Sequence, residues 1–92
     1  MDSIVQRERE CLVCKDTTHL QLHHCIYGTA NRRNSDKYGL TVWLCHRHHN
    51  GSNYSAHFNK NLDIRIKQMA QEAFEKTHTR EEFMAIFGKS WL

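Results

Sequence analysis

A length of 92 residues allows one domain, because a smaller unit would bury too little apolar surface to fold by itself. The chain has no proline, is 25% charged and lacks an apolar run of the ~18 residues that cross a membrane, which excludes a low-complexity tail and a membrane span. Because its opening residues are too polar for a signal peptide, we expect a soluble cytoplasmic protein whose four cysteines indicate metal binding rather than disulfides.

Positive charge and histidine are concentrated in the middle of the chain. Residues 15–60 contain six basic and two acidic residues, although the net charge of the whole chain is only +3. Seven of the eight histidines lie between His19 and His57. This overlap is expected of a site that handles a phosphate backbone.

The first predicted element is a strand. Residues 1–10 are polar, which predicts either a frayed lead-in or a short helix. Apolar and polar residues then alternate over 18–23, as in a half-buried strand, with Leu20 and Leu22 facing the core. At the end of this strand, His24 is expected to point into a cleft.

A loop and a second strand follow. Residues 27–39 are rich in Gly, Asn, Ser and Asp, which predicts a long loop, and long loops in compact domains are usually functional. Residues 40–44 are apolar and predict a strand that leads directly into Cys45.

Two helices are predicted at the end of the chain. Apolar residues recur at helical spacing from Leu62 to Phe74. Thr79 and Glu82 form the pattern of a capping box that opens a second, shorter helix. Gly88 is the expected C-terminal cap of that helix.

Two pairs of potential ligands predict a structural zinc site. Cys11 and Cys14 form a CxxC pair, and Cys45 and His48 form a CxxH pair. Each pair can aim two side chains from a tight turn, and tetrahedral zinc needs four such ligands. His49 is the alternative to His48 as the fourth ligand.

Three histidines near the ligand pairs remain to be explained. His23 and His24 end the first strand, and His49 follows the CxxH turn, which we expect to hold it opposite that strand. In such a cleft one histidine can bind a metal ion and its neighbour can act as a general base.

Four stretches of the sequence resemble the HNH endonucleases in their zinc-containing, phage-associated form. They run from Cys11 to about His57 and are CLVC, LQLHHCIYGTANRR, GLTVWLCHRHHNG and AHFN. The resemblance implies an α+β fold of the ββα-metal, treble-clef-like type over residues 1–92. The zinc and catalytic core then covers residues 11–60, and two C-terminal helices occupy residues 61–92.

The resemblance also implies roles for the histidines. His24 corresponds to the general base, which takes a proton from the water that attacks phosphorus. His23 and His49 correspond to catalytic ligands of a divalent ion, which is Mg²⁺, Mn²⁺, Ni²⁺ or Zn²⁺. His57 is a candidate further ligand, and Asn53 is the alternative to it.

One family position is filled differently. The family's middle Asn, which orients the base from just before the second strand, falls near Gly39 and Leu40, where this chain has no Asn. Asn31, Asn34 or a backbone carbonyl is expected to orient the base instead.

The implied activity is metal-dependent hydrolysis of phosphodiester bonds in DNA. Arg32, Arg33 and Lys37 are expected to contact the phosphate backbone, and the alternative is that they form a solvated basic surface. The expected setting is the cytoplasm of a bacterial host, with the chain encoded by a phage. A homodimer, or a complex with a recombination or host protein, is an alternative assembly.

Two rival functions stay open. The first is a zinc-dependent nucleic-acid-binding module that has lost catalysis. The second is a protein-interaction module, whose apolar surface would include Trp91, Leu92 and the helix from Leu62.

Overall fold

The computed structural model describes residues 2–49, 55–56 and 59–92. These residues form a two-stranded antiparallel sheet and four helices, a small α+β architecture as predicted. In chain order the elements are β1 Leu20–His24, α1 Thr29–Tyr38, β2 Thr41–Cys45, α2 His46–His49, α3 Lys60–Phe74 and α4 Arg80–Phe87. None of the described helices is long and apolar enough to cross a membrane.

The two strands are buried to different extents, since four of the five β2 residues are buried but only His23 of β1 is. His23 pairs with Val42 across the sheet, and both side chains are buried. Because side chains alternate along a strand, the neighbouring Leu22 points to the opposite face and is 43% exposed. The prediction that Leu22 faces the core is therefore wrong, whereas Leu20 is half-buried and packs against the core.

The residues before the CxxC pair are neither a frayed lead-in nor a helix. They form an irregular segment along the outer edge of β2, where the Ile4 N–H donates to the Gly39 carbonyl at 2.9 Å. The Trp43 N–H donates to the side-chain oxygen of Gln6 at 2.8 Å. The segment thus pairs backbone groups that would otherwise lie open on an edge strand.

Helix α1 replaces the loop that was predicted for residues 27–39. Its inward positions lie three, four and seven residues apart, as a helix requires, but polar residues fill most of them. Ser35 is buried, and the half-buried positions are Asn31, Asn34 and Tyr38. A search for apolar periodicity cannot detect such a helix.

Two local contacts fix α1 between the strands. The buried Ser35 hydroxyl donates to the Ile26 carbonyl at 2.6 Å. Gly39 ends the helix with a left-handed φ of 70°, and a Cβ at this position would collide with the Asp2 carbonyl oxygen. The helix and the segment along β2 therefore depend on the same glycine.

Both C-terminal helices were predicted and are confirmed. Helix α3 is capped by Asn59, whose side chain accepts the Leu62 N–H at 3.1 Å. Helix α4 has the expected capping box, in which Thr79 and Glu82 each accept the other's backbone N–H. Gly88 caps α4 with a left-handed φ of 89°.

An aromatic cluster joins the helices into one core. The ring centroid of Phe74 lies 5.4 Å from that of Phe83 on α4 and 5.5 Å from that of Tyr38 on α1. The ring of Trp91 packs on that of Phe83, with centroids 6.0 Å apart. The backbone N–H of Trp91 donates to the side-chain oxygen of Gln71 at 2.8 Å. Trp91 is half-buried and packs against this core, whereas the neighbouring Leu92 is 44% exposed.

Candidate metal centre and histidine cleft

Four side chains from two distant segments converge on one point. Their ligand atoms all lie within 4.8 Å of one another, and the residues are Cys11, Cys14, Cys45 and His48. The Sγ atoms of Cys14 and Cys45 are 3.8 Å apart. The His48 Nδ1 atom lies 3.2 Å from the Cys45 Sγ and 3.6 Å from the Cys11 Sγ.

These distances fit tetrahedral coordination. With thiolates ~2.3 Å and an imidazole ~2.1 Å from a central zinc, two sulfurs lie roughly 3.8 Å apart, and a sulfur and a nitrogen roughly 3.6 Å apart. The cluster can therefore hold a metal ion such as zinc. His48 supplies the fourth ligand atom, and His49 instead faces the cleft beside β1.

The surroundings shift the pKa values of two of these thiols in opposite directions. Burial opposes ionisation of Cys11, but hydrogen bonds from backbone N–H groups of the surrounding turns outweigh it and lower the pKa of Cys11 to about 6. Burial, and to a smaller degree the thiols of Cys11 and Cys14, raises the pKa of Cys45. The thiolate is the form that binds a metal ion, and the surroundings of Cys11 favour that form.

Cys25 lies outside this cluster. It is fully buried next to the end of β1, and burial raises the pKa of its thiol well above the usual range. A neutral thiol in apolar surroundings is inert, so Cys25 has a packing role.

A second feature is a cleft of about 220 Å³ at the end of β1. Its lining residues are Leu22, His23, His24, Tyr27, Arg32 and His49. Four predicted site residues thus meet in one place, since β1 supplies two histidines, α1 supplies Arg32 and α2 supplies His49. His57 and Asn53, the two candidates for a further ligand, lie outside the described residues.

His23 and His49 are neighbours in the cleft. Their ring centroids are 5.4 Å apart and the ring planes meet at 76°. Two imidazoles on one tetrahedral ion have centroids roughly 5 Å apart when each metal–nitrogen bond is ~2.1 Å. The observed separation of 5.4 Å is close to this value, and edge-to-face packing of two histidines gives the same separation.

His24 contacts a carboxylate that the sequence did not reveal. Its Nε2 atom lies 2.8 Å from the Oδ1 atom of Asp36 on α1. The predicted alternatives, Asn31 and Asn34, are half-buried positions on the inward side of the same helix. The clue available in the sequence was that Arg32 and Asp36 are four residues apart, and therefore share one face if the segment is helical.

Tyr27 connects the cleft to α3. Its ring lies edge-on to His23 at 6.1 Å, and the Lys67 ammonium lies 4.4 Å from the ring centroid. Burial, followed by the Asp63 carboxylate, raises the pKa of Tyr27. Lys67 and Asp63 form an ion pair at 2.8 Å, so α3 supports the wall of the cleft at Tyr27.

The basic residues of α1 do not share one direction. All three are exposed, but Arg32 lines the cleft and Arg33 and Lys37 do not. Successive residues on a helix point about 100° apart, so the latter two form a neighbouring face. The three side chains therefore address different parts of any bound backbone.

No protein-family model, no curated protein and no solved structure matches this chain. The resemblance to HNH endonucleases therefore stays a prediction from the sequence stretches.

Proposed function

We propose that this chain is a metal-dependent nuclease of the HNH, ββα-metal type that hydrolyses phosphodiester bonds in DNA. The observation that carries the proposal is the cleft in which His23, His24 and His49 meet beside Arg32. A general base, a pair of metal ligands and a cationic side chain are the groups that this reaction needs.

We assign zinc to the cluster formed by Cys11, Cys14, Cys45 and His48. The cluster ties the segment before β1 to the end of β2, and α2 begins within it. Because His49 directly follows His48, the bound ion would set the position of His49 in the cleft. In this proposal zinc supports the catalytic site without taking part in the reaction.

His24 acts as the general base. Asp36 accepts a hydrogen bond from the Nε2–H group of His24, so Nδ1 is the nitrogen that can take a proton from water. The deprotonated water attacks phosphorus, and the bond to the leaving 3′ oxygen breaks. The Asp36 carboxylate stabilises the imidazolium that results.

His23 and His49 hold the catalytic ion. When bound, a divalent ion supplies Lewis-acid stabilisation of the charge on the phosphate and the leaving oxygen. Arg32, at the wall of the same cleft, donates to the phosphate that is cut. Arg33 and Lys37 contact the flanking backbone without regard to sequence.

The test is incubation of the zinc-loaded protein with supercoiled plasmid and Mg²⁺, Mn²⁺, Ni²⁺ or Zn²⁺. We expect nicked and linear DNA from the wild type and almost none from His24→Ala. His46→Ala is the matched control, because it removes an exposed imidazole that does not line the cleft. A wild type that binds DNA but cuts it with no metal supports the non-catalytic binding module instead.

A further inference from the structure

Gln21 and His49 are 28 positions apart in the chain but in contact. The Gln21 Oε1 atom lies 2.6 Å from the His49 Nδ1 atom. Gln21 belongs to β1 and His49 is the last residue of α2. Since His23 is two residues after Gln21, strand geometry puts both side chains on the same face, towards His49.

This contact selects one form of the imidazole. An amide oxygen is only an acceptor, so the Nδ1 atom of His49 must carry the hydrogen. The Nε2 atom then keeps its lone pair, and a neutral imidazole binds metal through that nitrogen. If the amide of Gln21 were reversed, Nε2 would carry the hydrogen and His49 could not be a ligand.

His23 and His49 are held in different ways. His23 is 2% exposed, so packing fixes its ring. His49 is half-buried at the end of a four-residue helix, and its Nδ1 atom contacts the facing strand. A hydrogen bond donated to the facing strand restricts both the rotation and the tautomer of the His49 ring.

We infer that Gln21 is a positioning residue that holds His49 with its Nε2 atom ready to bind a borderline divalent ion together with His23. This inference rests on the proposed metal site in the cleft. Partners of this kind, bonded to the second nitrogen of a ligand histidine, typically change metal affinity by ~10- to 100-fold. Imidazole ligands favour ions such as Ni²⁺, so Ni²⁺ is a suitable probe.

The first experiment needs neither a second metal nor activity. Long-range ¹H–¹⁵N spectra of the zinc-loaded chain should show His49 in the Nδ1–H form. Gln21→Glu should preserve this form, because a carboxylate also accepts, whereas Gln21→Leu should lose it. Gln68→Leu on α3 is the control and should leave the His49 signals unchanged. A wild-type His49 in the Nε2–H form overturns the inference.

The second experiment is calorimetric titration of the same zinc-loaded proteins with Ni²⁺. The wild type should bind one Ni²⁺ beyond its zinc, Gln21→Leu should bind it ~10- to 100-fold more weakly, and Gln21→Glu should bind it at least as tightly as the wild type. Unchanged affinity in Gln21→Leu, no rescue by Gln21→Glu, or no Ni²⁺ uptake by the wild type each overturns the inference.

The two proposals fail in different ways. If Ni²⁺ binding depends on Gln21 but plasmid stays intact, the positioning role holds and the nuclease proposal falls. If the wild type cuts plasmid while Gln21→Leu keeps both its tautomer and its Ni²⁺ affinity, only the positioning role falls.

Discussion

The imidazole of His24 and the carboxylate of Asp36 meet at 2.8 Å, although the two residues belong to β1 and α1. The carboxylate accepts from one ring nitrogen, and the other is left for proton transfer. The candidate base and the group that orients it thus come from separate elements, and the position of α1 decides whether they meet.

Loss of His24 should affect catalysis and little else. His24→Ala should lower plasmid cleavage by ~10² to 10⁴, the usual contribution of a general base. Zinc content by metal analysis and the melting temperature should stay close to those of the wild type, since His24 is not one of the four clustered residues. Equal cleavage by wild type and variant would show that another group removes the proton.

Asp36→Asn should reduce cleavage by about 10- to 100-fold, less than the loss of the base itself, because the amide stabilises the imidazolium poorly. Initial rates on plasmid measure the effect. Asn34→Ala is the control, since Asn34 was predicted from sequence to orient the base but lies on the inward side of α1. A larger loss in Asn34→Ala than in Asp36→Asn would contradict the assignment.

Removal of a zinc ligand should unfold the chain, because a structural zinc site contributes folding free energy directly. Cys14→Ser and Cys45→Ser should each lose zinc and the far-ultraviolet circular dichroism of the helices. Cys25→Ala should keep one zinc per chain, because Cys25 lies outside the cluster. A folded wild type in which metal analysis finds no zinc would rule out this site.

Arg32 points in a different direction from Arg33 and Lys37, so replacing it should have a different effect from replacing the other two. Replacing Arg33 and Lys37 together with Ala should lower the slope of log affinity against log salt by about two, since each phosphate contact contributes ~0.9. Arg32→Ala should mainly reduce the cleavage rate. Arg65→Ala on α3, whose side chain is 60% exposed, should change neither. Equal salt slopes in all variants would indicate that α1 does not contact the backbone.

Phe83 tests the link between the helices and the cleft. Phe83→Ala should cost about 3 to 5 kcal/mol of unfolding free energy, because its fully buried ring contacts Phe74, which in turn packs on Tyr38 of α1. Urea denaturation of the zinc-loaded protein measures the loss. The neighbouring Met84 is 45% exposed, so Met84→Ala should cost much less. A similar cost for both would show that α4 is not part of the core.

The sequence predicted the features that depend on local spacing. The four clustered residues were identifiable because CxxC and CxxH pairs have few other uses in such a chain. The capping box of Thr79 and Glu82 was identifiable because its two hydrogen bonds lie within one turn. Both are confirmed.

The features that the sequence did not predict depend on packing between elements. Polar residues on the inward side hid α1, and for the same reason Asp36 was not recognised as a partner of His24. The alternation in β1 predicted that Leu22 faces the core. In the structure Leu22 is exposed, and the neighbouring His23 is buried instead. Which side chains of β1 face the core depends on the pairing of β1 with β2 and on the cleft. Both depend on residues that are far apart in the chain.

The segment along β2 has a consequence for folding and solubility. Ile4 and Gln6 pair with the edge of β2, and Cys11 and Cys14 follow them in the chain. Metal capture between positions 31 residues apart, Cys14 and Cys45, would bring this segment alongside β2 in the same step. A chain stripped of its ion would release the edge as well, and unpaired strand edges associate with one another. Chelation of the ion should therefore produce aggregates that grow faster at higher protein concentration. Zinc that is added back should prevent aggregation only before the released edges have associated.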